Sequence, residues 1–293
     1  MKRRLITIVA VAVILLAAGT APALAGGTKD VYYMSIGDSL AKGYQPPFSK
    51  NPSSFHQGYA DQLFKIVRSE IPSLRLVKLG CGGETTDTII NGVDYCPFPE
   101  GSQLAQAVNF LESHPGQVEF ITIDIGGNDI FDSCLDFESG VLDPDCVGEI
   151  VPAIQANLTT ILQTLKVAAP GVPIYGMTYY DPFLGYWVQG PNGSPADPSL
   201  AQADAQAWAP FNAGLVSTYQ ANGVTVADVA GAFATSDFDH FVPLKGYGLV
   251  PQNVANDCNW TYNCTPPPLG WDVHANDDGY GVIAEAFADV VTL

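Results

Sequence analysis

The chain has 293 residues, with 12 lysines and arginines against 30 aspartates and glutamates and a formal net charge of -18. So acidic a surface repels phosphate, which argues against nucleic acid and against electrostatic docking on anionic lipid. Hydrophobic residues make up 47% of the chain, enough for one sizeable core; without an internal repeat or a charge block, a single domain is the expectation.

Lys2, Arg3 and Arg4 precede an apolar run from Leu5 to Ala18, and Ala23-Leu24-Ala25 follows. Charge, apolar stretch and small residues in that order form the pattern of a secretory signal peptide. Residues 1–25 are therefore expected to be removed and 26–293 to be exported as one domain. No later stretch approaches the roughly 20 apolar residues a membrane span needs, and no cysteine stands near Gly26 to carry a lipid.

Residues 31–36 read as the first strand, apolar on nearly every position as a strand covered on both faces should be, and Gly37-Asp38-Ser39 follows it. A helix over 59–69 leads to a second strand at 74–79 and the turn Gly80-Cys81-Gly82-Gly83. A helix over 102–113 leads to a third strand at 118–125 and Gly126-Gly127-Asn128-Asp129. The helix over 149–168 has the clearest period, with Ile150, Ile154, Leu158, Ile161, Leu162 and Leu165 on one stripe. A strand at 173–179, a helix over 200–221, a strand at 224–229 and a closing helix over 277–291 complete the pattern. The Pro/Gly-rich stretches 181–198 and 243–271 keep aromatic residues and read as ordered loops. Strand alternating with helix predicts an α/β protein with a parallel five-stranded sheet covered on both faces. Six cysteines fall as local pairs, Cys81 with Cys96, Cys134 with Cys146, and Cys258 with Cys264. In an oxidising compartment neighbours are the easiest to join, so three nearest-neighbour disulfides are expected. No C-x2-C spacing or nearby histidine recommends a metal site.

In such a sheet, ligands sit outside the carboxyl ends of the strands, and three successive strand ends carry glycine-rich polar turns. Ser39 stands where a helix start frees backbone N–H groups; with a base and oxyanion donors it could serve as a nucleophile, and without them it is a helix cap. Gly83 allows close approach of its N–H to a reacting carbonyl, or simply makes a tight turn. Asn128 offers a side-chain amide donor, and Asp129 beside it could fix the turn. Of the four histidines, His274 lies just before the closing helix. His114 reads as a helix cap, and His56 as a surface or substrate contact. His240 sits in Asp237-Phe238-Asp239-His240 with Asp-x-x-His spacing.

Gly37-Asp38-Ser39-Leu40, Gly83, Gly126-Gly127-Asn128-Asp129 and His274 stand in the order of the four blocks of the SGNH (GDSL) hydrolases, and over nearly the whole chain the protein resembles that family. The strings Gly37 to Tyr44 and Leu79 to Thr86 are similar to secreted actinobacterial-type members with three disulfides. The resemblance implies a flavodoxin-like three-layer α/β/α sandwich and a serine esterase or lipase that needs no cofactor. It implies Ser39 as nucleophile, the N–H groups of Ser39 and Gly83 with the Asn128 amide as oxyanion hole, and His274 as base. The family pattern places an aspartate three residues before that histidine, where this chain has Trp271. Asp272 or the Trp271 main-chain carbonyl is left to orient the imidazole. Phe183, Tyr186, Trp187, Phe238, Phe241 and Trp260 are candidates for an acyl pocket, or for ordinary packing under long loops; as a pocket they favour lipid or short-chain acyl esters over acetylated sugars. A monomer is expected. The rival of a different class is a non-catalytic carbohydrate- or surface-binding protein on the same scaffold.

Overall fold

A computed structural model describes residues 29–46, 56–266 and 268–293; the expected leader at 1–25 lies outside them. Strand β1 (Val31–Gly37) is followed by a helical turn α1 (Ser39–Lys42), α2 (Tyr59–Arg68) and β2 (Leu74–Lys78). Next come α3 (Thr88–Asn91), α4 (Gln103–Ser113), β3 (Val118–Asp124), α5 (Gly127–Cys134), α6 (Pro144–Ala168) and β4 (Ile174–Met177). Then follow α7 (Pro198–Ala221), β5 (Thr225–Ala227), the turn α8 (Val229–Ala232), a hairpin of β6 (Phe241–Leu244) and β7 (Gly248–Pro251), and α9 (Gln252–Trp260). A short antiparallel ladder of β8 (Thr261–Tyr262) with β9 (Asp272–Ala275) precedes α10 (Asp277–Ala288).

Strands β1 to β5 form one parallel sheet in the order β2-β1-β3-β4-β5. This is the flavodoxin-like order, in which the direction of chain progress reverses between β1 and β3. With right-handed crossovers, that reversal sends connections to opposite faces: α2 packs with α10, while α6 packs with both α4 and α7. The result is a three-layer α/β/α sandwich. Strand β3 is buried at every position except Glu119, which is why it reads as a continuous apolar run and not as an alternation.

Helix α6 begins at Pro144, ahead of its apolar stripe, because the Asp143 carboxylate accepts from the N–H groups of Asp145 and Cys146 and Pro144 fits the first helical turn. Strand β4 is shorter than its apolar run; Thr178, Tyr179 and Tyr180 stay buried beyond its end, where Thr178 makes the last bond to β5 through the Ala227 carbonyl at 3.1 Å. The stretch 243–271, expected as loop, carries part of the β6–β7 hairpin, α9 and β8. Leu244 and Val250 from the hairpin pack with Leu184 and Val254 in a second small core, and that burial is what orders a glycine- and proline-rich segment. All three disulfides join the expected neighbours. No helix among the described residues is long and apolar enough to cross a membrane.

Candidate active site

The end of β1 is built for close approach. Gly37 has φ of +137°, and a side-chain carbon there would stand 2.0 Å from the Asp124 carbonyl oxygen at the end of β3, so no other residue fits. Gln103, at the start of α4, grips the same residue from both sides. The Gly37 N–H donates to Gln103 Oε1 at 2.6 Å, and Gln103 Nε2 donates to the Gly37 carbonyl at 2.9 Å. Asp38 then caps α1, accepting from the Leu40 N–H at 2.8 Å, while Asp124 Oδ2 accepts from the Ala41 N–H at 3.1 Å. Ser39 opens this turn, and among the described residues neither its N–H nor its hydroxyl has a hydrogen-bond partner.

The second and third strand-end loops are tied to each other. Gly83 has φ of +80°, and its carbonyl accepts from the Tyr95 hydroxyl at 2.8 Å. The adjacent Gly82 faces Ser39: a side-chain carbon on it would lie 3.8 Å from Ser39 Cβ. Asn128, in the first turn of α5, donates from Nδ2 to the Glu84 carbonyl at 2.9 Å, which uses one of its two amide hydrogens and leaves the other for a ligand. Asp129 does not fix its own turn, as its position suggested. It reaches across to the second loop, accepting from the Thr86 N–H at 2.8 Å and the Thr86 hydroxyl at 2.5 Å. Burial pushes the Asp129 carboxyl up to about 6 against the opposing pull of those bonds.

His274 lies on β9, and strand geometry decides its partner. In a strand, residues i and i+2 point to the same face, so Asp272 and His274 stand side by side. Asp272 Oδ1 meets His274 Nδ1 at 2.6 Å and accepts from the His274 main-chain N–H at 2.9 Å. Here the Asp272 carboxylate is the partner of Nδ1; the Trp271 ring instead stacks on Tyr186. The Tyr180 hydroxyl donates to the Val273 carbonyl at 2.7 Å, and the Tyr44 ring lies 4.5 Å from the imidazole, so the strand and the ring are both held. The other histidines lie elsewhere. His240 pairs with Asp237 on the surface with its side chain 81% exposed, His114 Nδ1 contacts the Phe110 carbonyl oxygen at the end of α4 at 2.9 Å, and His56 is exposed.

Ser39, Asn128 and His274 line one cleft of about 30 Å³ together with Leu40, Gly127, Phe131, Tyr179, Tyr180, Pro182, Trp208 and Val273. It sits at the carboxyl ends of β1 and β3, the point where the strand order reverses. Gly83 is not among the lining residues. No hydrogen bond links the Ser39 hydroxyl to His274, a bond that in empty sites often forms only with substrate. None of the six aromatic residues that were candidates for an acyl pocket or for packing lines this cleft. Phe183 and Tyr186 are buried, with Phe183 packed on Phe131 and Trp208. Trp187 packs on Phe238 and Phe241, and Trp260 on Phe233. Phe183 and Tyr186 are core beneath loops, Phe241 is largely exposed, and the cleft is walled instead by Phe131, Tyr179, Tyr180 and Trp208. The tyrosines follow β4, a fourth strand end without a glycine-rich turn to mark it. Gln103 and Asp124, which hold the β1 end, also escaped sequence reasoning; an acid closing an otherwise apolar strand was the signal available for Asp124.

The profile of the GDSL-like Lipase/Acylhydrolase family matches residues 35–282. An extracellular lipase from Streptomyces rimosus is similar in structure, with a TM-score of 0.58 and 15% identity over 89% of this chain and 100% of that one. The lipase Lip_vut3 from a goat rumen metagenome gives a TM-score of 0.55 and 16% identity over 88% of this chain and 96% of that one. At such identities these likenesses establish the shared fold. No curated protein matches the chain. The profile match runs from within β1 into α10 and takes in all three strand-end turns and the β9 histidine, so the chain belongs to the GDSL-like lipase/acylhydrolase family of hydrolases.

Proposed function

We propose that this protein is an exported serine esterase that hydrolyses short-chain acyl esters through an acyl intermediate on Ser39. The observation that carries this reading is the convergence of Ser39, Asn128 and the Asp272-paired His274 on one cleft. With Nδ1 engaged by Asp272, the imidazole presents Nε2 as the base. Nε2 takes the Ser39 proton as Oγ bonds to the ester carbonyl carbon, and the carbonyl electrons move to an oxyanion received by the N–H groups of Ser39 and Gly83 and by the Asn128 amide. The tetrahedral species collapses, and His274 returns the proton to the departing alcohol. Water, deprotonated by the same nitrogen, then releases the acid and restores Ser39. Export rests on the leader pattern and on three disulfides, which persist in oxidising compartments.

A cleft of about 30 Å³ holds little more than one or two waters, so its apolar wall suits an acyl group of few carbons and leaves a long chain outside. The test is fluorophosphonate labelling with mapping of the modified residue, followed by rates across p-nitrophenyl esters from acetate to palmitate. Label on Ser39 and a kcat/KM that falls beyond butyrate are expected. A folded protein that takes no label at Ser39 favours the non-catalytic binding protein, and an optimum at long chains overturns the short-acyl reading.

One observation favours a second reading, an acetyl esterase acting on sugars. Trp208 also lines a groove of about 760 Å³ with Gln202, Gln206, Asn212, Thr235, Ser236 and Phe238, which offers amides, hydroxyls and a ring face. If acetylated xylan is a better substrate than p-nitrophenyl acetate, the alcohol side of the substrate is a glycan.

Removing one oxyanion donor isolates its share of the chemistry. Asn128→Ala is expected to lower kcat by about 10²- to 10³-fold with KM little changed. Steady-state kinetics with a thermal melt check this; an unaltered kcat removes Asn128 from the oxyanion hole.

A further inference from the structure

Beneath Ser39 lie two carboxyl groups that acyl transfer does not use. Asp38 is 3% exposed and Asp124 is 0% exposed, and they are neighbours, since they accept from the consecutive N–H groups of Leu40 and Ala41. All four of their oxygens accept from neutral donors. Asp38 Oδ1 accepts from the Leu40 N–H at 2.8 Å, and Asp38 Oδ2 from the Tyr179 hydroxyl at 2.7 Å. Asp124 Oδ2 accepts from the Ala41 N–H at 3.1 Å, and Asp124 Oδ1 from the Tyr59 hydroxyl. Two ionised carboxylates have no donor to offer each other, so two buried neighbours are relieved when one of them keeps a proton.

We propose that Asp38 and Asp124 act as one positioning unit, with a retained proton on Asp124 and a single negative charge on Asp38, that sets the α1 backbone and so aims the Ser39 N–H at the oxyanion. This rests on Ser39 being the nucleophile. Both carboxyls bind consecutive N–H groups of α1, and the only N–H left over at the start of that turn is the one that reaction needs. A second full charge in this place would face the first across a dry gap, where like charges a few ångströms apart are not both tolerated.

The surroundings decide which carboxyl keeps the proton. Burial and the charge of Asp38 push Asp124 well up, against the pull of its bonds from Tyr59 and Ala41. Burial also pushes Asp38 up, but its hydrogen bonds and the neighbouring His274 pull the other way. The titratable groups facing the pair are Tyr33 on β1, Tyr59 on α2, Glu84 after β2, Tyr179 and Tyr180 after β4, Tyr219 on α7, His274 on β9 and Tyr280 on α10. Burial raises all six tyrosines, which keeps them neutral.

Infrared difference spectroscopy at neutral pH, wild type minus Asp124→Asn, tests the proton directly and independently of turnover. The carbonyl band of an un-ionised carboxylic acid is expected in the wild type and lost in the variant. Asp38→Asn gives a second route: without the charge opposite, Asp124 ionises and the same band is lost. If neither difference spectrum contains the band, the proposal is wrong. Kinetics test the positioning. Asp124→Ala is expected to lose roughly 10²-fold in kcat on p-nitrophenyl acetate at similar KM, as a small misplacement of reacting groups does, and Asp124→Asn, which keeps a donor toward residue 38 and an acceptor for Ala41, is expected to recover most of it. An asparagine variant as impaired as the alanine one overturns the unit. Fluorophosphonate labelling of Ser39 in the wild type reports separately on the nucleophile, so failure of one reading is not mistaken for failure of the other.

Discussion

Ser39→Ala is expected to lower kcat on p-nitrophenyl acetate by at least about 10⁴-fold while leaving the fold intact. Both halves follow from the position of the side chain. The hydroxyl has no hydrogen-bond partner among the described residues, and the backbone around it is fixed by groups that the substitution leaves alone: Gln103 on Gly37, Asp38 on Leu40 and Asp124 on Ala41. Alanine suits a helical turn at least as well as serine, so the thermal midpoint should barely move. Activity should nearly vanish, because without Oγ no acyl intermediate forms and the residual rate comes only from binding and the oxyanion donors. The measurements are kcat, the melting curve and intact mass after fluorophosphonate treatment. A folded variant that still hydrolyses at a rate near the wild type's ends the nucleophile assignment.

The central strands of the sheet were legible because β1, β3 and β4 are buried on both faces over most of their length, and such strands write themselves as largely apolar runs. The turns holding Ser39, Gly83 and Asn128 were legible because close backbone approach demands glycine; the cost of a side chain at Gly37 is the clearest case. Other features left no such mark. The cleft wall at Tyr179 and Tyr180 is continuous in sequence with β4, so burial against the site is indistinguishable from burial in the sheet. Trp208 sits on the buried face of α7, a helix with Pro210 inside it and with Asp204, Gly214 and Thr218 on that same face, so no apolar stripe singles it out. The aromatic residues at 183, 186 and 187 read equally as pocket or as packing, because loop composition does not tell the two apart. Asp124 became meaningful only when the sheet order placed it beside Gly37 and Asp38.

The group behind His274 was the hardest to read, and for a definite reason: β9 exists only through pairing with β8, a strand of two residues. No alternation over so short a stretch announces a strand, and without the strand nothing says that Asp272 and His274 share a face.

That geometry makes Asp272→Asn the most informative variant of the site. An asparagine keeps the size of the side chain but offers Nδ1 an amide donor, which favours the tautomer with its proton on Nε2, the nitrogen that must accept from Ser39; it also removes the charge that would stabilise the imidazolium. A loss in kcat of up to about 10⁴-fold is expected at little change in KM. The Asp272 side chain is 26% exposed, so the protein should remain folded. If both Asp272→Asn and Asp272→Ala cost less than about tenfold, the site is a Ser-His dyad and another group orients the ring. A double variant sharpens the argument. Trp271→Asp combined with Asp272→Asn restores the Asp-x-x-His spacing of the family pattern, yet on a strand residues i and i+3 point to opposite faces. It should therefore recover none of the lost activity. Recovery would mean that the segment before His274 leaves the strand when substrate binds.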